Sequence, residues 1–238
     1  MRETILICLP FGGAGASFFQ SWQALAPEGL GILPIRLPGR EERFEEPPLT
    51  DVARAVDEAY LQVTEELRGG ERIVLFGHSL GAVLSYELAH HLAHETDIAG
   101  LVVSGSPDPW NGRPSRATGL PDDEFVAQVE RFTGYAHPAM ADPEVRELVL
   151  PVLRADIEMH ENYRPASDAP LSIPVLAVRG RDDGLVSASE TEGWSRATTG
   201  PFATVEFDGG HMYLIDAAGV LLTEIGVRLD PERATTGR

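Results

Sequence analysis

The sequence predicts an α/β fold in which a mainly parallel central sheet is flanked by helices. Apolar runs alternate with amphipathic segments along most of the chain, as they do when strands and helices alternate in a layered fold. Several apolar runs are near-continuous Val, Ile and Leu, which is expected for strands buried on both faces. The length of 238 residues fits one large domain, residues 1–238, better than two small ones.

Six strands and five helices account for the regular part of this pattern. The strands are predicted at residues 5–9, 31–35, 72–76, 100–104, 174–179 and 203–207. The helices are predicted at residues 17–26, 49–68, 80–93, 187–198 and 213–229. Thr50 or Asp51 is expected to cap the second helix, and Gly69-Gly70 is expected to end it. The polar tail at residues 231–238 is expected to fray.

A long insertion at about residues 107–172 interrupts the alternation. It opens with Pro107, Pro109 and Pro114 and then becomes helical, with apolar residues at i, i+4 and i+7 from Phe125. Because this connection is longer than a crossover helix needs, we predict a helical lid over the carboxyl edge of the sheet, where open α/β folds bind ligands. An ordinary pair of packing helices is the alternative.

The composition excludes some classes of partner. The formal net charge is −18 and all 19 basic residues are arginine, which argues against nucleic acid and anionic membranes. No apolar stretch approaches the roughly 20 residues that span a bilayer, and residues 5–9 are too short for a secretory signal. The single cysteine, Cys8, rules out an internal disulfide and is expected to be a buried structural thiol. A reducing cytoplasm is therefore the expected compartment. The chain is also expected to be a monomer.

The chemistry is concentrated first in residues 77–81, Gly-His-Ser-Leu-Gly, between a predicted strand and a predicted helix. This is the Gly-x-Ser-x-Gly nucleophile elbow of the α/β-hydrolase fold. A serine at a sharp strand-to-helix turn has strained backbone, and the glycines remove Cβ atoms that would clash as the helix packs on the strand. Ser79 is therefore the predicted nucleophile.

A serine hydroxyl needs a base, and the base needs a carboxylate that orients it. In this fold the acid and then the histidine follow the serine, each on a loop after a later strand. His211, on a glycine-rich loop after the last predicted strand, is the predicted general base. Asp182 and Asp183 both follow the preceding strand, and either can serve as the acid. Asp208 is expected to shape an Asp-Gly turn instead.

The other six histidines have simpler explanations. His78 is next to the nucleophile, where packing or capping is more common than proton abstraction. His90, His91 and His94 are expected on a solvated helix face, because no third metal ligand accompanies His90 and His94. The other two, His137 and His160, fall in the predicted lid and could line a substrate channel.

The oxyanion hole is expected to use the amide of Leu80 and one amide from the loop after the first strand. Gly12 is the first choice in that loop and Phe11 the second. A phosphate cradle is the weaker interpretation of these glycines, because Gly-x-Gly-x-x-Gly is not matched and the chain has no lysine.

With these residues placed, the chain resembles the type II thioesterases, the stand-alone editing enzymes of polyketide and non-ribosomal peptide synthesis. Four motifs carry the resemblance and together span nearly the whole chain. They are Leu-Pro-Phe-Gly-Gly-Ala-Gly at 9–15, Arg-Leu-Pro-Gly-Arg-Glu-Glu-Arg at 36–43, Gly-His-Ser-Leu-Gly-Ala at 77–82 and Gly-Gly-His-Met-Tyr-Leu at 209–214. The second is the most specific. The family pattern favours Asp183 as the acid, since Val186 follows it at the usual spacing, and favours Gly12 as the oxyanion donor.

The resemblance implies hydrolysis of aberrant or stalled acyl groups from phosphopantetheine thioesters on acyl or peptidyl carrier proteins, through an acyl-enzyme and without a metal or organic cofactor. It also makes Phe11, His78 and Met212 candidate substrate contacts. Two alternatives are a general carboxylesterase or lipase and a non-catalytic binding protein on the same scaffold. An integrated chain-terminating thioesterase is not expected, because Met1 is almost on the first strand.

Three arginines of the second motif, Arg36, Arg40 and Arg43, are candidates for contacting the carrier protein or its phosphate. Structural pairs with the neighbouring glutamates at 41, 42, 45 and 46 are at least as good an interpretation. Aromatic and methionine side chains of the predicted lid could line an acyl channel or pack in the core: Trp110, Phe125, Phe132, Tyr135, Met140 and Met159.

Overall fold

The fold was obtained as a computed structural model that describes residues 4–93, 95–112, 116–136 and 138–229. The expectations for Pro114, His94, His137 and the tail at 231–238 concern residues outside these ranges. The six strands are β1 (Thr4–Leu9), β2 (Leu30–Pro34), β3 (Arg72–His78), β4 (Ile98–Ser104), β5 (Val175–Gly180) and β6 (Phe202–Phe207). They form one sheet in the order β2-β1-β3-β4-β5-β6, and every neighbouring pair is parallel.

The helices are α1 (Ser17–Gln20), α2 (Val52–Glu66), α3 (Leu80–Leu92), α4 (Asp122–Thr133), α5 (Pro143–Asn162), α6 (Ala188–Gly193) and α7 (Leu214–Leu229). Short 3-10 turns occur at Ser21–Ala24, Glu41–Arg43, Pro138–Ala141 and Trp194–Ala197. Successive strand residues point to opposite faces of the sheet, and their side chains pack in two separate cores. One core, with α2 and α3, contains Ile7 and Leu75, whereas the other, with α1 and α7, contains Leu6 and Phe76. Cys8 is fully buried in β1, as expected of a structural thiol, and burial raises the pKa of the thiol.

The predicted extent of two helices is wrong in part, because the second half of each forms a 3-10 turn. The first becomes α1 followed by Ser21–Ala24, and the fourth becomes α6 followed by Trp194–Ala197. In the first, Phe19 and Trp22 both pack against Phe76, with ring centroids 6.0 and 5.1 Å away. A 3-10 turn places residues three apart on the same side, which suits this aromatic contact.

Asp51 is the N-cap of α2, since its side chain accepts a hydrogen bond from the Arg54 amide at 3.0 Å. The prediction that Gly69-Gly70 ends this helix is wrong. The helix ends at Glu66, because Leu67 adopts an extended conformation in which its side chain packs against the core.

The inserted segment forms α4 and α5, which have a small core of their own around Phe125, Leu150 and Leu153. Side chains from both helices also cover the loops at the carboxyl edge of the sheet, where Val129, Phe132, Leu153 and Ile157 line a cavity together with Ser79. Because the strands are parallel, the loops after β1, β3, β5 and β6 meet at this edge. The functional candidates come from those loops.

Candidate active site

Ser79 occupies the sharp turn between β3 and α3. Its backbone angles are φ 53° and ψ −114°, a region that side-chain-bearing residues seldom adopt. The turn is fixed by a hydrogen bond from the Ser79 amide to the Ser104 carbonyl (2.8 Å) and one from the Ala82 amide to the Ser79 carbonyl (3.1 Å). Such stored backbone strain is typical of functional residues.

The two elbow glycines are required by close backbone approach, as predicted. A Cβ at Gly77 would overlap the carbonyl of Gly81, and a Cβ at Gly81 would overlap the carbonyl of Leu9. Backbone atoms cannot rotate away as a flexible side chain can, so any side chain here would move α3 away from the sheet. The glycines thereby hold Ser79 in its place at the sheet edge.

His211 and Asp183 form a buried pair beside this turn. His211 Nδ1 lies 2.9 Å from Asp183 Oδ2, with the side chains 2% and 0% exposed. Because an ionised carboxylate only accepts hydrogen bonds, Nδ1 donates and Nε2 is left as the basic nitrogen. His211 also lines the cavity that contains Ser79.

The loop after β5 holds the Asp183 carboxylate in place. Its Oδ1 accepts hydrogen bonds from the amides of Leu185 (2.8 Å) and Val186 (3.1 Å). Burial by itself raises the pKa of this carboxyl. The hydrogen bond and charge of His211, with those two amides, outweigh burial and lower the pKa below its ordinary value. The carboxylate is therefore ionised at neutral pH.

The other two acids in these loops lie elsewhere. Asp182 is exposed, and Asp208 forms an exposed ion pair with Arg181. Gly209, the residue after Asp208, has φ 114°, which agrees with a turn at that point. Of the acids considered, Asp183 is the one that contacts His211.

His78 is part of a buried hydrogen-bonded chain that sequence analysis did not identify. His78 Nδ1 lies 2.9 Å from Ser104 Oγ, which lies 2.8 Å from Tyr213 Oη. The His78 ring also lies 4.6 Å from the ring of His211 and 5.7 Å from that of Phe11, between centroids. Burial raises the pKa of Tyr213, so its hydroxyl stays protonated. His78 therefore packs beside His211 and also lines the cavity that contains Ser79.

The loop after β1 places Gly12 and Phe11 on the wall of the same cavity as Ser79. The Gly13 amide donates to Asp156 Oδ2 at 2.8 Å, and the Ala14 amide donates to the Phe11 carbonyl at 2.9 Å. The amides of Gly13 and Ala14 are therefore already committed, and the two amides predicted from the sequence, those of Gly12 and Phe11, stay the candidate donors of this loop. Leu80, the residue after Ser79, begins α3.

Two neighbouring cavities share part of their lining, and Ser79 lines the inner one. The inner one, of about 70 Å³, is lined by Ser79 and His211 together with apolar residues of α4 and α5. The outer one, of about 760 Å³, opens to solvent between the loop after β1, the loop after β2 and α5. Both are lined by Phe11, Gly13, Tyr135, Val149 and Met212.

The candidate channel residues of the insertion have different environments. Phe132, Tyr135 and Met140 line the inner cavity. Phe125 belongs to the small core of the insertion, and Met159 belongs to the sheet core that includes α2 and α3. Trp110 donates its indole N–H to Asp168 at 2.8 Å, and the Arg196 guanidinium lies over its ring. His160 is a buried residue of α5.

Two predictions from the sequence are corrected by the packing. Arg40 forms a buried ion pair with Asp156 at 2.8 Å, a partner that is none of the glutamates named from the sequence. Arg40 also lines the outer cavity, so its contact with a carrier arm stays a prediction. His90 is not on a solvated face, since its ring packs at 4.8 Å from that of Tyr86 and burial lowers its pKa. His91, on the next position of α3, is exposed.

The other two arginines of the second motif form ion pairs closer to the surface. Arg43 binds Glu46 at 2.6 Å, as considered from the sequence, and also Glu58 at 2.9 Å. Arg36 pairs with Glu66 at 3.5 Å.

Among the described residues, no three His, Cys, Asp or Glu side chains are grouped closely enough to hold a metal ion. In the same part of the chain, no helix is long and apolar enough to cross a membrane.

Comparison with known proteins identifies the family. A family model described as "Thioesterase domain" matches residues 4–228, which is nearly the whole chain. The chain belongs to the thioesterase family. The resemblance inferred from the four motifs is confirmed, and the enzyme class is that of a thioester hydrolase.

Two relatives of this chain are named as thioesterases. A probable cadicidin biosynthesis thioesterase of Streptomyces griseus is 36% identical over 234 residues, which cover 96% of this chain and 63% of that protein. Thioesterase PikA5 of Streptomyces venezuelae is 35% identical over 213 residues, covering 89% of this chain and 75% of the relative. The chain thus spans less than two thirds of the length of the first relative, and it spans three quarters of the length of the second.

Solved structures agree on the α/β-hydrolase fold. The type II thioesterase BorB from the borrelidin biosynthetic cluster superposes with a TM-score of 0.85 at 33% identity, covering 95% of this chain and 93% of that one. YbtT, a type II thioesterase from the yersiniabactin pathway, gives a TM-score of 0.85 at 27% identity, covering 96% and 94%. The fold predicted from the sequence is confirmed.

Proposed function

We propose that this thioesterase hydrolyses stalled or aberrant acyl groups from phosphopantetheine thioesters on acyl or peptidyl carrier proteins of a polyketide or non-ribosomal peptide assembly line. The observation that carries the proposal is the buried Asp183–His211 pair, in which His211 lines the cavity that contains the strained Ser79. The family and the biosynthetic relatives support a thioester as the bond that is broken.

In the proposed reaction, Ser79 Oγ attacks the thioester carbonyl carbon while His211 Nε2 takes the hydroxyl proton. The amides of Leu80 and Gly12 stabilise the oxyanion, a contribution of about 100- to 1000-fold in rate per donor. Collapse of this intermediate breaks the C–S bond, and His211 protonates the departing thiol. A water molecule, activated by His211, then attacks the acyl-serine, and the free acid leaves as the proton returns to Ser79.

The shape of the two cavities favours a small acyl group on a long carrier arm. The inner cavity accommodates the acyl group next to Ser79, and the outer cavity accommodates an extended chain from the surface. A free acyl ester does not need so long an approach.

The mouth of the outer cavity is the proposed contact with the carrier protein. Its rim includes Phe44, Leu148 and Ile215, which are 64%, 70% and 44% exposed. Large apolar side chains exposed together are typical of interaction surfaces. Since this chain has a net charge of −18 and carrier proteins are generally acidic, apolar contact is the more suitable attraction.

Hydrolysis of matched substrates tests the proposal. One short acyl group is presented as a carrier-protein thioester, as a small thioester and as an oxygen ester, to the wild type and to Ser79→Ala. The proposal predicts the highest kcat/KM on the carrier thioester and none with Ser79→Ala. Faster turnover of the oxygen ester would indicate a general esterase. If a serine-reactive probe labels the wild type and Ser79→Ala equally, the chain is a non-catalytic scaffold.

A further inference from the structure

A buried ion pair joins α5 to the loop that carries the proposed oxyanion donor. Asp156 of α5 and Arg40 of the loop after β2 bind through two contacts, Nη1 to Oδ2 and Nη2 to Oδ1, each of 2.8 Å. The side chains of Asp156 and Arg40 are 0% and 7% exposed. A buried ion pair is weak evidence for stability, because desolvation of two charges offsets their attraction. The backbone atoms that the pair contacts point to a more specific role.

Both members of the pair bind the loop after β1. The Gly13 amide donates to Asp156 Oδ2 at 2.8 Å, and Arg40 Nη1 donates to the Ala14 carbonyl at 2.8 Å. The Ala14 amide donates to the Phe11 carbonyl at 2.9 Å, so residues 11–14 form a tight turn. Gly13, at the third position, has φ 78°, as in a type II turn. Gly12 is the second residue of this turn, directly before Gly13 and Ala14, which the pair contacts.

The same helix also packs on Gly12. Methyl groups of Leu153 and Ile157 lie 3.8 Å from the position that a Cβ of Gly12 would occupy, and the Asp156 Cβ lies 3.9 Å from it. Leu153 and Ile157 also line the inner cavity. One face of α5 therefore shapes the cavity wall and holds the turn that contains Gly12.

We propose that Asp156 is a positioning residue for the hydrolysis. Oriented by Arg40, its carboxylate holds the Gly13 amide and so keeps the Gly12 N–H directed at the carbonyl oxygen of a substrate bound at Ser79. The inference rests on the proposed function. A shift of about 1 Å in such a donor costs about 100-fold in rate, so this contact bears directly on kcat.

Two neutral double variants separate positioning from charge. Asp156→Asn with Arg40→Gln removes both charges but keeps an acceptor for the Gly13 amide and a donor for the Ala14 carbonyl. Asp156→Leu with Arg40→Met has similar volume and removes both contacts. Neither variant leaves a single buried charge, which would be strongly destabilising by itself.

We expect the Leu/Met variant to lose about 30- to 100-fold in kcat on a carrier thioester, with KM changed by less than about threefold. The Asn/Gln variant should stay within about fivefold of the wild-type kcat, because it retains the contacts with the turn. A folded Leu/Met variant with wild-type kcat would overturn the proposal. An equal loss in both variants would also overturn it, since charge rather than the turn contact would then matter.

Circular dichroism and thermal unfolding establish that each variant is folded. If the Leu/Met variant is insoluble, Asp156→Leu with Arg40→Gln replaces it, because this variant removes only the acceptor for the Gly13 amide. A wild-type kcat there contradicts the positioning role. Failure of the proposed function is distinguishable, because it appears as an inactive wild type or an active Ser79→Ala.

Discussion

The Nδ1–H group of His211 donates a hydrogen bond to Asp183 Oδ2 at 2.9 Å, and the two side chains are almost completely buried. Asp183 Oδ1 is held at the same time by the amides of Leu185 and Val186. The carboxylate is therefore fixed by its own loop before it orients the histidine.

Asp183→Asn should lower kcat by about 1000- to 10,000-fold, because an amide can donate to Nδ1 and thereby favour the wrong tautomer of His211. Steady-state hydrolysis of a carrier thioester measures the loss. Asp182→Asn is the matched control, since Asp182 is exposed in the same loop, and its kcat should equal that of the wild type. Equal losses in the two variants would mean that Asp183 is not the orienting acid.

Asp183 also makes stability depend on pH. Its pKa is lower in the folded protein than in the unfolded chain, so the ionised form stabilises the fold. This contribution is fully present above the unfolded pKa, about 3.9, and is lost as the pH falls through the folded pKa. Urea unfolding at several pH values should show that the difference in free energy of unfolding between wild type and Asp183→Asn shrinks as the pH falls from about 5 to below 4. A difference that grows on acidification would contradict this sign.

Gly77→Ala should strongly destabilise the protein and abolish hydrolysis, because the added Cβ would overlap the Gly81 carbonyl at the elbow. Gly219→Ala is the control: Gly219 lies in α7, and apart from its chain neighbours and the backbone of its own helix, no heavy atom of the described residues lies within 4 Å of the added Cβ. That control should gain about 0.5–1 kcal/mol in stability, since alanine is the better helix former. Thermal unfolding and kcat are measured on both. A Gly77→Ala enzyme with wild-type stability and kcat would contradict the steric argument.

Phe132→Ala should shift the preference for acyl length towards longer chains, because Phe132 lines the inner cavity of about 70 Å³. The ratio of kcat/KM for a medium-chain to a two-carbon acyl carrier thioester should rise about tenfold or more, consistent with one to three kcal/mol per methylene-sized change in a pocket. Phe44→Ala, in the outer cavity, should leave that ratio unchanged. If both variants change the ratio equally, the inner cavity does not select the acyl group.

Much of the site could be predicted from the sequence, because its residues lie in loops directly after predicted strands. Ser79 follows β3, Asp183 follows β5 and His211 follows β6, so parallel pairing alone brings their loops to one edge. Local spacing also indicated why Gly77 and Gly81 lack side chains. The boundaries of α1 and α6 were less predictable, since tertiary contacts converted their ends into 3-10 turns.

Long-range polar contacts could not be predicted. Asp156 lies 116 residues from Arg40, and Tyr213 lies 109 residues from Ser104, so no local pattern connects them. Arg40 resembles a surface arginine in sequence, next to several glutamates, and its burial depends on how α5 crosses the loop after β1. The burial of the Asp156 carboxylate in α5 would have indicated a partner such as Arg40. That burial is visible only in the folded structure.

In the proposed reaction, Ser79 forms an acyl-enzyme from a carrier-bound thioester. Rapid quenching of the enzyme with an acyl carrier protein, followed by peptide mass spectrometry, detects this intermediate. We predict an acyl mass increment on the peptide that contains Ser79, present at early times, lost as free acid appears and absent in Ser79→Ala. Turnover of the carrier thioester by Ser79→Ala at the wild-type rate, with no acylated peptide in either protein, would contradict the account.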